Sequence, residues 1–418
     1  MGATPQIVVV GGGFAGIWSA LSAARLLDAR SRSGDVAITL VSAEPYLAIR
    51  PRLYERSLDG LRVPLDSLLA PAGVHRVEGR VIDIDQAAQM VTAVAAGVTV
   101  RLPFDRLVLA AGSHVQAPPL PGLAEYALTV DSYRDAQRLD AHLRSTLKRT
   151  DRPDRFSAVV VGAGFTGIEV ATELAGRLAA PGNREDVHVT LVGSSDKLGG
   201  DVGPGARSVI DEALRSLNIE VRLGVPAQEI DPHHVTLADG RQLPSATTVW
   251  TGGFRASPLT GLFDVTTDEL GRLPVDDTLR VEAADHVFAA GDVAHALADI
   301  GHPAFMSCQH AIPMGKFAGH NAASDLVGGA LLAYHQPDYV TCLDLGAAGA
   351  MFTRGWDRAV LFTGPAGKRL KEQINRHDIY PPLSRARNDL LRAAKPEVVS
   401  MDGLVALGER IANGLAAA

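Results

Sequence analysis

Two short apolar runs, Gln6-Ile7-Val8-Val9-Val10 and Ser157-Ala158-Val159-Val160-Val161, each stop at a glycine cluster and give way to a stretch with helical apolar spacing. Runs of this length and β-branched character predict strands buried on both faces, as in a parallel sheet. The stretches after them, Ile17 to Leu27 and Ile168 to Leu178, predict helices. Val36 to Val41 then completes one strand–helix–strand unit, and Val187 to Val192 completes a second.

Elsewhere the pattern changes. Gly79 to Asp85 and Gln89 to Leu102 alternate and predict antiparallel strands laid on the first sheet. Phe104 to Leu109 is a further buried run that ends on the small-residue turn Ala110-Ala111-Gly112-Ser113, and Thr247 to Gly253 is its counterpart in the second unit. Helices are predicted over Tyr133 to Leu147, Glu212 to Leu217 and Gln309 to Leu326, and a strand from Asp285 stops on Gly291-Asp292. From about His335 onward a hairpin, Tyr339 to Leu345, and a basic helical tail read as a third region.

The glycine clusters carry the chemistry. Gly11-Gly12-Gly13-Phe14-Ala15-Gly16 and Gly162-Ala163-Gly164-Phe165-Thr166-Gly167 each sit between a strand and a helix. In such a fingerprint the first glycine makes the tight turn and the second lets the backbone approach a pyrophosphate. The third lets helix pack on strand, so that the helix N-terminus faces the anion. Two copies in this context predict two bound dinucleotides, one on Gly11, Gly13, Phe14, Ala15 and Gly16, the other on Gly162, Gly164, Thr166 and Gly167.

Composition narrows the partners. Forty basic residues against 47 acidic ones, with no block of like charge, argue against nucleic acid. No apolar run reaches the roughly 20 residues that span a bilayer, and no signal-peptide layout precedes the first strand, so the cytoplasm is the expected compartment. The two cysteines, Cys308 and Cys342, are too far apart for a CxxC dithiol and too few for a zinc site, and no metal is expected. Cys308 reads as a small core residue, with a redox thiol as the alternative.

With two fingerprints and a strand ending on Gly291-Asp292, the chain resembles the two-dinucleotide-binding flavoproteins, most closely the type II NADH dehydrogenase family and its apoptosis-inducing-factor-like relatives. The resemblance rests also on Pro51-Arg52-Leu53-Tyr54-Glu55, Leu109 to Ser113, Gly162 to Glu169, Trp250 to Pro258, Asp344-Leu345-Gly346 and Ile379-Tyr380-Pro381-Pro382. It implies an α/β protein with two Rossmann-like domains in a glutathione-reductase-like arrangement and a C-terminal α+β region. The FAD domain would be residues 1–120 with 275–333, the NAD(P)H domain 121–274, and the C-terminal region 334–418.

The resemblance further implies FAD on the first fingerprint, with Asp292, Gly291, Ala111, Gly112 and Arg52 around it, and NAD(P)H as co-substrate on the second, with Gly252 nearby. Glu169 would hold the nicotinamide against the flavin; as an alternative it is a helix-start carboxylate favoured by the macrodipole. The implied activity is hydride transfer from NAD(P)H to flavin and on to a quinone-like acceptor. A soluble reductase or oxidase for another small molecule or an electron-carrier protein is the second reading, and a redox-responsive switch the third.

Three departures from the family pattern matter. The acids that usually end the second strand of each unit are replaced by Ser42 and Gly193. Glu44 is then the candidate for the FAD ribose, and Ser194 with Ser195 and Lys197 leaves room for NADPH as well as NADH. In the acceptor motif after Gly291-Asp292, Gln309 and Ala311 are kept but Pro313 replaces the second glutamine, so Gln309 and His310 are the acceptor-site candidates. The tail, Leu404 to Leu415, has helical apolar spacing without Trp, Phe or Lys, which favours a dimer or domain contact over peripheral attachment to the inner face of the cell membrane.

Overall fold

The protein is described by a computed structural model that covers residues 4–179 and 184–416. The first apolar run forms β1 (Gln6–Val10), and its glycine loop opens α1 (Phe14–Ala29); β2 (Ala37–Ser42), β3 (His75–Glu78) and β4 (Arg106–Leu109) follow. After β5 (Ala127–Leu128) come β6 (Ser157–Val161), α2 (Phe165–Ala179), β7 (His188–Val192), β8 (Ile219–Arg222) and β9 (Thr247–Trp250). β10 (Val287–Ala289) leads towards α3 (Cys308–Leu326). The C-terminal region holds β11 (Val340–Asp344), β12 (Ala350–Arg354), β13 (Ala359–Phe362), α4 (Gly364–Gln373) and α5 (Asp402–Ala416).

Two five-stranded sheets share one plan. The first runs β10-β4-β1-β2-β3 and the second β5-β9-β6-β7-β8, and every pairing in both is parallel. In each, the glycine loop leaves the strand where the order reverses, the place where open α/β sheets bind ligands. The sheets differ only in when the outer strand arrives: β5 precedes its sheet in the chain, whereas β10 returns to the first sheet after the second is complete.

Helix α1 is buried along nearly its whole length because α3 lies directly on its backbone. A Cβ on Gly315 would lie 2.3 Å from the Ala15 carbonyl oxygen, and one on Gly319 would lie 1.9 Å from that of Ser19. No side chain fits at either position.

Several predicted elements change extent. The helix expected over Glu212 to Leu217 runs Gly203–Ser216, since its first turns are built from glycine, proline and alanine that give no apolar period. The strand expected from Asp285 is confined to Val287–Ala289, and Gly291–Val293 forms a 3-10 turn entered through Gly291 at φ +74. The alternating region after Gly79 is a separate three-stranded antiparallel sheet.

In the C-terminal region β11, β12 and β13 form an antiparallel sheet with α4 on one side. Helix α5 lays Leu404, Val405 and Leu407 on the cluster around Phe352 and Leu370, and Gly408 sits against the Phe362 ring. The first part of the predicted stripe, Leu404 and Leu407, is thus a contact within this chain. Among the described residues, no helix is long and apolar enough to cross a membrane.

Candidate functional site

The two glycine loops are matched in detail. Gly11, at φ +116, has no room for a side chain because a Cβ would lie 2.2 Å from the Ala110 carbonyl oxygen, and one on Gly16 would lie 1.8 Å from that of Gly11. Gly162, at φ +123, and Gly167 are sealed in the same way, by Thr251 and by the Gly162 carbonyl. Gly13 and Gly164 differ: a Cβ there would meet nothing within 4 Å. The outer glycines are demanded by the protein's own packing, whereas the middle ones border open space at a helix N-terminus. That is the cradle a pyrophosphate requires, so both loops fit a dinucleotide.

The first glycine loop and the first turn of α2, which follows the second loop, border one cleft. Gly13, Phe14, Ala15, Ala110, Gly112, Gly291 and Asp292 supply its first wall. Thr166, Glu169, Trp250, Thr251 and Phe254 supply the second, and Tyr54, Met306, Ser307, Cys308 and Ala311 close it. Asp292 accepts from Ser113 Oγ at 2.5 Å, and Arg50 Nη1 lies 3.8 Å from its carboxylate. Arg50 also binds Asp131, which borders the cleft from the second fold.

Glu169 faces this cleft from α2. Its Oε1 accepts from Lys371 Nζ at 2.8 Å and from the Asp344 backbone N–H at 3.1 Å. Burial pushes the Glu169 carboxyl up, and Lys371 opposes that shift. Burial also works against the Lys371 ammonium, but Glu169, together with Cys342 and Asp344, holds its pKa above the usual lysine value. Lys371 donates as well to the Cys342 carbonyl, at 2.8 Å. A second pair lies alongside: Lys368 Nζ is 2.7 Å from each Asp344 oxygen, and the buried Tyr54 hydroxyl donates to Asp344 Oδ2 at 3.1 Å. Lys368 and Lys371 come from α4 and Asp344 from β11, so the C-terminal region contributes these charges behind the cleft.

Other candidate residues sit away from this cleft. Arg50, not Arg52, reaches the cleft; Arg52 turns into the protein, where it donates to Glu55 and to the Tyr380 hydroxyl, because the 3-10 turn Arg50–Arg52 points the two arginines apart. His310 does not line the cleft. It is fully buried in an aromatic stack, 5.6 Å from Tyr339, and its Nδ1 accepts from the Phe305 N–H at 3.3 Å. Burial lowers it to about 4. Gln309 also lies outside the lining, although its Nε2 is buried without a partner.

Ala111 gives way to Ala110 and Gly112 in the cleft wall. Glu44 is exposed, beside the Tyr46 hydroxyl. Ser194 is exposed at the end of β7, and a Cβ on Gly193 would lie 2.8 Å from that of Ala163, so this strand end has no room for the usual acid. Gly252 packs on the Trp250 ring. Burial pushes the Cys308 thiol up to about 11 and the Cys342 thiol up to about 12, which keeps both protonated at neutral pH. Among the described residues no group of His, Cys, Asp and Glu side chains could hold a metal ion.

Tyr54, Asp344, Lys368 and Lys371 were not singled out as site residues from the sequence. The available signals are the two resemblance motifs that contain Tyr54 and Asp344, and the pair of lysines three apart on a predicted basic helix, which places them on one face.

Comparison with known proteins agrees with this geometry. Residues 5–315 match the pyridine nucleotide-disulphide oxidoreductase family. An NADH dehydrogenase-like protein of Mycobacterium tuberculosis is 47% identical over 397 residues, covering 94% of this chain and 98% of that one. A demethylphylloquinone reductase of Synechocystis is 28% identical over 376 residues, covering 87% and 89%. Among solved structures, NDH2 from Plasmodium falciparum in complex with NADH superposes with a TM-score of 0.75 at 14% identity, covering 94% of this chain and 97% of that one. The chain therefore belongs to the pyridine nucleotide-disulphide oxidoreductase family, as an NAD(P)H-dependent oxidoreductase with FAD as the cofactor and NAD(P)H as the co-substrate that the family implies.

Proposed function

We propose that the protein passes hydride from NAD(P)H to FAD and then electrons to a quinone-like acceptor. The observation that supports this reading is one cleft bordered both by Gly13, Phe14 and Ala15 of the first glycine loop and by Thr166 and Glu169 at the start of the helix after the second. FAD, when bound, supplies the ring that takes the hydride and passes the electrons on.

The protein's part is orientation. The Gly13 loop would hold the FAD pyrophosphate, and Asp292, fixed by Ser113, would accept from ribityl hydroxyls. The Gly164 loop would hold the pyrophosphate of NAD(P)H. Glu169 has Oε1 engaged by Lys371 and Asp344, which leaves Oε2 to accept from the nicotinamide carboxamide and set the ring's face.

A quinone is supported by the relatives named for it and by the apolar closure of the cleft at Met306, Cys308 and Ala311. Pro313 favours a second reading, a different small-molecule or electron-carrier acceptor, because it removes the second amide of the motif. Stopped-flow reduction of the bound flavin by NADH and by NADPH, followed by menadione, ubiquinone-1 and protein electron carriers, tests both. Rapid reoxidation by quinones is expected. Slow reoxidation by quinones with fast reoxidation by another acceptor selects the second reading.

A further inference from the structure

A two-electron reduction of a quinone needs a proton that the nicotinamide does not bring. The balance is NAD(P)H + H⁺ + quinone → NAD(P)⁺ + hydroquinone: one C–H bond breaks, two O–H bonds form, and one proton enters from solvent per turnover. Of the charged groups that line the cleft, Glu169 is engaged by Lys371, Asp131 by Arg50, and Asp292 by Ser113, whereas the lining hydroxyl of Tyr54 is joined through Asp344 to a partly exposed ammonium.

We infer that Lys368, Asp344 and Tyr54 form a route for that proton, which passes from solvent to Lys368 Nζ, to the Asp344 carboxylate, and through the Tyr54 hydroxyl into the cleft. The inference rests on the quinone reading above. The links are continuous: Lys368 Nζ lies 2.7 Å from both Asp344 oxygens, Tyr54 Oη lies 3.1 Å from Asp344 Oδ2, and Tyr54 lines the cleft.

The two ends differ in the way a relay requires. The Lys368 side chain is 33% exposed and Asp344 10%, while Tyr54 is buried. The neighbouring pair does not offer this connection, since Lys371 and Glu169 are 8% and 12% exposed and Lys371 spends its donors on Glu169 and the Cys342 carbonyl.

The position of Asp344 is set independently of the relay. Its Oδ1 accepts from the Gly346 N–H at 2.8 Å, and its own N–H is held by Glu169. The carboxylate is therefore fixed between an ammonium and a phenol, each within hydrogen-bond reach. When Tyr54 gives its proton to an acceptor oxygen, the Lys368 ammonium passes a proton through the Asp344 carboxylate to the phenolate, and solvent then reprotonates Lys368. No charge is left in the buried segment after a cycle.

The test compares acceptors that differ in their need for a proton. Ferricyanide takes electrons only, whereas ubiquinone-1 takes electrons and a proton. In the flavin-loaded protein Lys368→Met, Tyr54→Phe and Asp344→Asn are each expected to lower the ubiquinone-to-ferricyanide rate ratio by about 10² or more, the usual effect of losing a positioned proton donor. Lys368→Arg, which keeps a charged donor, is expected to recover part of it. A pH-indicator dye is expected to show proton uptake slowed with quinone reduction in Lys368→Met.

A readout without turnover uses 3-fluorotyrosine at position 54. Its ¹⁹F titration in the oxidised protein is expected to move to higher pH in Lys368→Met, where a cation is lost, and to lower pH in Asp344→Asn, where an anion is lost. Lys368 is partly exposed, so its variant tests the route without emptying the core. An unchanged rate ratio, unchanged dye kinetics or an unmoved ¹⁹F titration overturns the relay while quinone turnover by the parent protein leaves the function reading intact. Failure of the parent protein to reduce any quinone overturns both.

Discussion

Lys371 Nζ lies 2.8 Å from Glu169 Oε1, joining residues 202 apart in the chain and tying α4 of the C-terminal region to α2 of the second nucleotide fold. Both side chains are nearly buried, at 8% and 12% exposure, so each charge depends on the other. Lys371→Met is expected to destabilise the protein by about 3–5 kcal/mol, because it leaves a buried carboxylate unpaired. The double variant with Glu169→Gln is expected to recover most of that loss. Denaturant unfolding of the four proteins measures it, and equal stability of both singles and the double would sink the claim of mutual dependence. Since the pair holds the lysine above its ordinary value, this contribution is complete below about pH 10 and fades as pH rises through the folded value.

Acid sensitivity comes from two buried histidines. Burial lowers His310 to about 4; burial, reinforced by Arg25 and Arg30, lowers His320 to about 4. An unfolded histidine protonates near pH 6.5 (about that value in peptides), so below it the unfolded chain binds more protons than the folded one. Stability is therefore expected to fall as pH drops from about 6.5 towards 4, with a limiting slope of about 2.7 kcal/mol per pH unit for two groups. His310→Phe keeps a ring in the stack with Tyr339 and is expected to halve that slope. Unfolding free energies at pH 7, 6 and 5 (about one unit apart) supply the comparison, and an unaltered slope would remove His310 from the account.

The middle glycines separate binding from folding. Gly13→Val and Gly164→Val each add a side chain to open space, whereas the same change at Gly16 drives a Cβ into a carbonyl oxygen. Gly13→Val is expected to fold but to purify without flavin. Gly164→Val is expected to purify yellow, with reduction by NAD(P)H slowed by about 10² or more through lost binding and orientation. Absorbance at purification and single-turnover reduction distinguish them; a fully flavinated Gly13→Val protein contradicts the placement of FAD.

How far the site was legible follows from how local each feature is. The glycine loops and the turn at Gly291-Asp292 depend on a few consecutive residues, since a buried strand must stop and its backbone must turn through positive φ at Gly11, Gly162 and Gly291. Other features depend on distant chain. Tyr54 meets Asp344 across 290 residues, and His310 loses the cleft because Tyr339, from the C-terminal region, covers its ring. Whether Arg50 or Arg52 faces the cleft is decided by a single 3-10 turn, in a loop with no periodicity to reveal it. The tail helix was legible as amphipathic, but the chain alone did not say what its stripe covers: Phe352 and Leu370 lie in separate elements.

The carboxylate of Glu169 is the feature most exposed to a kinetic test. Thr166 and Glu169 line the cleft one helical turn apart, and the Lys371 and Asp344 bonds to Oε1 fix the direction in which Oε2 points. Glu169→Gln preserves shape but replaces a charged acceptor by an amide whose nitrogen competes with Lys371 for the same position. The nicotinamide ring is then held less firmly, and small misplacements of reacting atoms cost up to about 10²-fold in rate. Reduction of the bound flavin at saturating NAD(P)H is expected to slow by about 10 to 10²-fold, while NAD(P)H affinity, set mainly by the pyrophosphate loop and adenosine end, changes much less. Stopped-flow reduction over a range of NAD(P)H concentrations reads the two quantities separately. A variant that is reduced as fast as the parent protein assigns Glu169 to the ion pair alone, whereas one that binds weakly but is reduced at the parent rate places the carboxylate on the ground-state complex and not on the transfer of hydride.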